Sequence, residues 1–314
     1  MRYGEGDRES ENVEDRRSQG GGMFPRGAGG VGLRIPLGGG GMSFTTLILI
    51  GIVCLVLGIN PLTLLTGGGF EIPNMPRPDR QGGERNVPGL PGQGGVADDN
   101  DSKAQFVRRV LADTEDVWEQ IFKGAGRQYK KPTLVLFRGA TRTACGTGQS
   151  AMGPFYCPAD QKVYIDLSFY DDLKRRFNAP GDFAQAYVIA HEIGHHIQAQ
   201  LGIADKVQSL KQRSSSEAQA NLLQVKMELQ ADCFAGVWAS LNDQMRNRLQ
   251  PGDIESGLKA AAAIGDDRLQ KQAQGYAVPE SFTHGSSEQR VRWFKRGLDS
   301  GQPQTCDTFN APNL

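Results

Sequence analysis

An uncharged apolar segment near the amino terminus limits the folds open to this chain more than any other feature. No Asp, Glu, Lys or Arg occurs between Arg34 and Glu71, and Ser43–Leu65 reads SFTTLILIGIVCLVLGINPLTLL. As a helix, this segment would be about 35 Å long, which exceeds a membrane hydrocarbon core of about 30 Å. A buried core helix would sit among other core-forming segments, whereas this segment has Gly-rich and polar flanks. The sequence therefore predicts a transmembrane anchor at residues 43–65.

The orientation of this anchor follows from the arginines around it. Six precede it, at Arg2, Arg8, Arg16, Arg17, Arg26 and Arg34, and three follow it, at Arg77, Arg80 and Arg85. The positive-inside rule then predicts a cytoplasmic amino terminus and an extracytoplasmic remainder. We expect a single-pass protein of the cytoplasmic (inner) membrane, with the anchor in contact with lipid and the rest of the chain on the periplasmic side.

The remaining chain divides into three parts of different composition. Residues 1–42 mix charges with Gly runs and contain few apolar residues, so they are predicted to form a disordered tail. Residues 66–100 are rich in Gly, Pro, Asn and Asp, which predicts a flexible linker. Residues 101–314 are enough for one domain with a sizeable core. The chain has 35 Lys and Arg against 35 Asp and Glu, and this zero net charge argues against a nucleic-acid partner.

Hydrophobic periodicity in residues 101–314 predicts a few strands followed by many helices. The predicted strands are Thr133–Phe137 and Lys162–Asp166, and the second is a candidate for edge pairing with a peptide. The predicted helices cover residues 102–123, 168–177, 183–201, 214–249, 253–274 and 286–298. This order predicts an α+β domain that is mostly helical.

The sequence His191-Glu192-Ile193-Gly194-His195 lies inside one of the predicted helices. Residues i and i+4 share a helix face, so the two imidazoles can bind one Zn²⁺. Glu192, beside them, can act as the general base for a zinc-activated water. The preceding residues are apolar, which predicts a buried helix whose histidines need partners. His196 points about 100° away from His195, and we expect it to have a structural role or to support a ligand.

A catalytic zinc site needs a third protein ligand and an open position for water. Glu228 and Asp232 are also i and i+4, in a strongly apolar stretch, so Glu228 can complete the site while Asp232 orients a ligating His. The rival third ligands are Glu217, Asp205 and His284.

The combination of these motifs resembles a known family. His191-Glu-x-Gly-His195 followed by Glu228-x-x-Ala-Asp232 is similar to the gluzincin metallopeptidases. The strings HEIGHH, ELQADC and FTHGSSEQR, behind an amino-terminal anchor, resemble the YpfJ-like neutral zinc metallopeptidases over essentially the whole chain. The resemblance implies a zincin-like domain in which His191, His195 and Glu228 bind zinc, Glu192 is catalytic and Asp232 orients a His.

His284 and Arg290 have the spacing of a similar pair in membrane-bound gluzincins of the HtpX type, although Gly285 stands where that group often has Pro. The resemblance implies that His284 is catalytic, with an imidazole or guanidinium near the zinc to stabilise an oxyanion. The alternative is that His284 caps or packs a loop and Arg290 forms a structural ion pair.

Four cysteines follow the anchor, which itself contains Cys54. Cys145 and Cys157 flank a Gly-rich turn, so we favour that disulfide, which leaves Cys233 to pair with Cys306. The even number of cysteines is typical of an oxidising compartment.

Together these features predict a membrane-anchored zinc metalloendopeptidase that acts on a peptide or protein substrate. Two alternatives remain open. The first is a non-catalytic zinc-binding module for envelope assembly or interaction, closed by a fourth ligand such as His284. The second is hydrolysis of a non-peptide amide, for example in cell-wall material.

Overall fold

A computed structural model describes residues 1–18, 99–150 and 153–314. The predicted anchor at residues 43–65 and nearly all of the predicted linker at 66–100 lie outside these residues. Within the described part of the chain, no helix combines the length and the apolar character needed to cross a membrane.

The described strands form a four-stranded sheet and a small hairpin. The sheet contains β1 (Val13–Asp15), β2 (Thr133–Phe137), β5 (Phe155–Cys157) and β6 (Lys162–Asp166), in the order β1-β2-β6-β5. Strands β1, β2 and β6 are parallel, and β5 is antiparallel to β6. The hairpin pairs β3 (Ala140–Thr143) with β4 (Gly146–Gln149). The predicted strands β2 and β6 are confirmed, but β6 pairs on both sides, so its proposed role as a substrate-binding edge is wrong.

The described residues form eight α-helices. They are α1 (Asp99–Gly124), α2 (Phe169–Arg175), α3 (Asp182–Gln200), α4 (Ile203–Gln212), α5 (Glu217–Arg246), α6 (Asp253–Ala263), α7 (Asp266–Gln274) and α8 (Ser287–Ser300). Helix α3 packs against both α5 and the sheet, and α8 packs along α5. The α+β, mostly helical class is therefore confirmed. The predicted helix 253–274 is two helices, which separate at Ile264-Gly265.

The core lies between the sheet and helices α1, α3, α5 and α8. Because side chains alternate along a strand, Leu134 and Leu136 face the main core while Val135 and Phe137 face a second, smaller cluster. Trp118, Trp238 and Trp293 are fully buried in the main core. This packing holds α3 and α5 side by side, and these two helices carry the candidate site.

Residues 1–18 are part of the same compact unit as the helical domain, which differs from the predicted disordered tail at 1–42. Strand β1 extends the sheet beside β2, and Arg8 Nη1 contacts Glu115 Oε2 at 3.0 Å. Arg248 contacts Asp7 at 2.8 Å, and its guanidinium lies 4.4 Å from the centre of the Tyr3 ring. Polar contacts and backbone pairing hold this segment on the domain. Neither requires many apolar side chains, so the low apolar content of the segment does not prevent it from being ordered. Residues 19–42 lie outside the described part.

Candidate metal centre

Helix α3 places the HEIGH residues at the wall of an open cleft. His191 and His195 have ring centroids 4.8 Å apart, as expected for i and i+4 on one helix face. Glu192 also lines the cleft, which encloses about 610 Å³. His191 and Glu192 are buried, and His195 is partly exposed. The motif therefore presents two imidazoles and one carboxyl group towards the same cleft.

Helix α5 brings a third ligand to these imidazoles because the two helices approach unusually closely. A Cβ added at Gly194 would lie 2.9 Å from the Cα of Ala231 and 3.1 Å from its Cβ. The missing side chain at Gly194 and the small one at Ala231 thus let α3 and α5 touch along their backbones. Glu228 lies one turn before Ala231 and faces the two histidines.

The three ligand atoms have spacings that suit zinc. Nε2 of His191 and Nε2 of His195 lie 3.2 and 3.5 Å from Oε2 of Glu228. Ligands bound tetrahedrally to zinc at about 2.0–2.2 Å are about 3.3 Å apart. Within the described residues, His191, His195 and Glu228 are the group whose ligand atoms can hold a metal, all within 4.8 Å of one another. The donor set and its spacing fit Zn²⁺.

The electrostatics of this cluster also favour a bound cation. His191 donates from Nδ1 to Asp232 Oδ1 at 2.8 Å, so its Nε2 and the Glu228 carboxylate present lone pairs to each other. Burial alone would lower the pKa of His191, but Asp232 and Glu228 raise it to about 10. Burial favours the neutral form of Glu228, yet the two imidazoles hold its pKa well below the usual range. A proton or a metal ion between Nε2 of His191 and the Glu228 carboxylate would pair with the lone pairs of both groups.

A buried ion pair supports His191 from behind. Arg290 donates from Nε and Nη2 to the two carboxylate oxygens of Asp232, at 2.8 and 2.9 Å. The hydroxyl of Tyr187 donates to the same carboxylate. Asp232 thus orients His191, as the sequence predicts, and Arg290 anchors Asp232. Tyr187 was missed, although it lies four residues before His191 on the same helix face.

Glu192 has an environment that suits proton transfer. Burial raises the pKa of its carboxyl above the usual value, and the neighbouring imidazoles act in the opposite direction. A carboxyl group whose pKa lies closer to neutrality is a better general base and general acid than a solvated one.

His284 lies at the cleft but is not among the three clustered ligands. Its Nδ1 lies 3.2 Å from Asp266 Oδ1, and the backbone N–H groups of Thr283 and His284 each donate to Asp266 Oδ2 at 2.6 Å. The His284 side chain is 52% exposed; its partial desolvation at the cleft lowers its pKa, but the carboxylates of Asp266 and Glu228 outweigh this effect and raise the pKa above the usual value. Asp266 therefore fixes the imidazole at the cleft wall. No sequence motif indicated Asp266, which is 18 residues before His284.

The other candidate residues lie away from the cluster. His196 binds the backbone oxygen of Lys130 at 2.7 Å and lies 3.2 Å from the Tyr156 hydroxyl, so it joins α3 to strand β5. Glu217 begins α5, and Asp205 is on α4. Neither of these rival third ligands belongs to the metal-holding group.

Both predicted disulfides are present in the structure. Cys145 pairs with Cys157, and Cys233 pairs with Cys306. The first joins the β3–β4 connection to strand β5, which contributes to the cleft wall. The second joins α5, directly after Asp232, to the carboxy-terminal turn Pro303–Cys306.

Gly194→Ala should weaken zinc binding by about tenfold, because the added methyl group forces α3 and α5 apart and moves Glu228 away from the imidazoles. Zinc affinity measured by competition with a chromophoric chelator tests this. Gly124→Ala is the matched control, since a Cβ at Gly124 meets no atom within 4 Å. Equal zinc affinities for the two variants would show that the close helix contact does not set the ligand geometry.

Comparisons with known proteins agree with this arrangement. A family model described as "Putative neutral zinc metallopeptidase" matches residues 1–309. The Escherichia coli protein YpfJ is 50% identical over 309 residues, which are 98% of this chain and 99% of that protein. The Mycobacterium tuberculosis protein Rv2575 is 41% identical over 224 residues, which are 67% of this chain and 73% of that protein. No solved structure matches this chain.

Proposed function

Because the chain belongs to the family described as "Putative neutral zinc metallopeptidase", we propose that it is a zinc endopeptidase that hydrolyses peptide bonds in peptides or proteins. The observation that supports this most strongly is the clustering of His191, His195 and Glu228 at an open cleft. The cleft leaves room for a substrate beside the three ligands. Glu192 lines the same cleft, where a general base is needed.

Each residue of the site has a distinct proposed role. His191, His195 and Glu228 would hold the zinc ion, which when bound supplies a Lewis acid for the scissile carbonyl and an acidified water. Glu192 takes the proton from the attacking water and delivers it to the leaving amine. Asp232 keeps His191 in the tautomer with a proton on Nδ1, so that its Nε2 faces the ligand position.

His284 is proposed to stabilise the oxyanion that forms during attack. Its Nδ1 contacts Asp266, a carboxylate that favours the protonated imidazolium, and in that form Nε2 is a second donor available to the cleft. Arg290 does not have this role, because both of its contacts to Asp232 lie behind the ligand and its side chain is buried. The two residues that the sequence motif paired are thus proposed to have different roles, His284 towards the substrate and Arg290 on the carboxylate of Asp232.

Only the first of the two alternatives requires a feature beyond the residues of the proposed site. A closed, non-catalytic zinc module needs a fourth protein ligand, and the metal-holding group of the described residues does not include one. Hydrolysis of a non-peptide amide would use the same residues, so assays on peptide and cell-wall substrates must separate it from peptidase activity.

Metal removal tests the proposed activity. Treatment with 1,10-phenanthroline should abolish cleavage of casein or of a peptide library, and stoichiometric Zn²⁺ should restore it. A peptidase activity that persists after the zinc content falls to zero would contradict the proposal. Cleavage of a cell-wall amide but of no peptide would support the alternative substrate class.

We propose that the domain lies on the extracytoplasmic side of the cytoplasmic membrane, attached through the apolar segment at 43–65. The two disulfides support an oxidising compartment. Residues 1–18 pack on the domain, however, and a single crossing by residues 43–65 would separate them from it. We therefore replace both the predicted single crossing and the cytoplasmic amino terminus: residues 43–65 are proposed to insert into the membrane from one face without crossing it, with the amino terminus on the same face as the domain.

Cysteine labelling tests this topology. In a Cys54→Ser background, Gly6→Cys and Gln128→Cys place single thiols at exposed positions of the amino-terminal segment and the domain. A membrane-impermeant maleimide should label both variants in intact spheroplasts. Labelling of Gln128→Cys alone, with Gly6→Cys reactive only after lysis, would place the amino terminus in the cytoplasm and contradict the proposal.

A further inference from the structure

His195, unlike His191, is supported by an uncharged amide. Nδ1 of His195 lies 2.9 Å from Oε1 of Gln198, one turn later on α3. An amide oxygen only accepts, so Nδ1 carries the proton and Nε2 presents its lone pair towards Glu228. The orientation of the Gln198 amide thereby decides which nitrogen of His195 can bind a metal.

The Gln198 amide is itself held in one orientation. Its Nε2 donates to the backbone oxygen of Met227 at 2.7 Å and to Oε1 of Gln230 at 3.1 Å. Gln230 then donates from Nε2 to the backbone oxygen of Cys306 at 2.9 Å. Backbone oxygens only accept hydrogen bonds. Each of the two side-chain amides can therefore make these contacts in only one orientation. We name Gln198, Gln230 and the Cys306 carbonyl the amide chain.

The amide chain is buried, and it ends at a residue that a disulfide holds in place. Gln198 is 0% exposed, Gln230 5% and Cys306 1%. The disulfide to Cys233 fixes Cys306 on α5. The carboxy-terminal turn is therefore covalently attached to the helix that carries Glu228 and Asp232.

We propose that Gln198 and Gln230 are positioning residues for His195, and that the Cys233–Cys306 disulfide sets zinc affinity by anchoring them. This inference rests on the proposed metal site, but not on any particular substrate or on hydrolysis. Conversion of Gln198, which is fully buried, to an apolar residue removes the acceptor for the Nδ1 proton of His195. The imidazole then loses the partner that holds its tautomer and its ring orientation.

Zinc affinity of the whole chain tests the amide chain directly. Gln198→Leu should weaken zinc binding by about 10–100-fold, and Gln230→Leu by about tenfold. Gln200→Leu is the matched control, because Gln200 is on the same helix but contacts His196 and Lys130 rather than a ligand. An unchanged zinc affinity in a folded Gln198→Leu variant would overturn the inference.

The disulfide has its own matched control. The double variant Cys233→Ala/Cys306→Ala should bind zinc about tenfold more weakly, whereas Cys145→Ala/Cys157→Ala should bind it as the unsubstituted chain does. Equal zinc affinities for the two double variants would refute the anchoring role.

One measurement needs no substitution. In the zinc-loaded chain, ¹⁵N NMR should show His195 with a protonated Nδ1 and with the metal at Nε2. Metal binding through Nδ1 would overturn the proposal even if the variants fail to fold. Loss of zinc affinity in Gln198→Leu would support the inference whether or not peptides are cleaved, so its outcome is separate from that of the proposed function.

Discussion

Glu192→Gln should retain zinc and lose hydrolysis. The amide keeps the size of the carboxyl group but cannot accept the proton of the attacking water, and general-base catalysis of this kind contributes about 10²–10⁴-fold. His191, His195 and Glu228 are unchanged, so zinc content should remain at one ion per chain. Peptide cleavage and zinc content, measured on the same preparations, check both halves of this expectation.

Glu255→Gln is the control for this substitution, since Glu255 is an exposed carboxyl on α6, outside the residues that line the cleft. It should cleave peptides at the rate of the unsubstituted chain. If Glu192→Gln also cleaves at that rate, another group supplies the base and the assigned mechanism fails.

Arg290→Met should destabilise the fold by about 3–5 kcal/mol, because it leaves the carboxylate of Asp232 buried without its charged partner. The Asp232 and Arg290 side chains are 0% and 2% exposed, and they form two hydrogen bonds. Methionine keeps the packing of the arginine stem as far as the position of Nε, so the main change is the loss of the guanidinium and its charge. Urea unfolding of chelator-treated protein measures the change without a contribution from zinc.

Arg292→Met provides the matched control on the same helix. The Arg292 side chain is 48% exposed, and its contact to Glu288 is 3.7 Å long. Exposed pairs of this kind contribute about 0–1 kcal/mol, so this variant should unfold at nearly the unsubstituted urea concentration. If Arg290→Met unfolded at the same urea concentration as Arg292→Met, the Asp232–Arg290 pair would not provide the support for His191 that the contacts indicate.

The sequence predicted the elements that depend on local patterns. Helical spacing located α3 and α5, and alternating or apolar runs located β2 and β6. The i, i+4 rule alone placed His191 with His195 and Glu228 with Asp232 on shared faces. Each of these inferences needs only the geometry of one element, which the order of residues determines.

Contacts between distant parts of the chain could not be predicted in this way. Strand β1 has three residues and forms because β2 offers it a partner, more than a hundred residues later. Asp266 and the amide chain depend on how α7 and the carboxy-terminal turn pack against other elements. The sequence motif gave Gly194 no role of its own. In the structure, its close contact with Ala231 is what brings Glu228 near the two histidines.

The proposed metal centre holds one zinc ion between two imidazoles and the Glu228 carboxylate, with one position left open. A crystal structure of the zinc-loaded chain, with anomalous data at the zinc edge, tests it most directly. We expect a single zinc peak bonded to Nε2 of His191, Nε2 of His195 and a Glu228 oxygen, with a water at the fourth position. A peak elsewhere, or one closed by His284 as a fourth protein ligand, would contradict it.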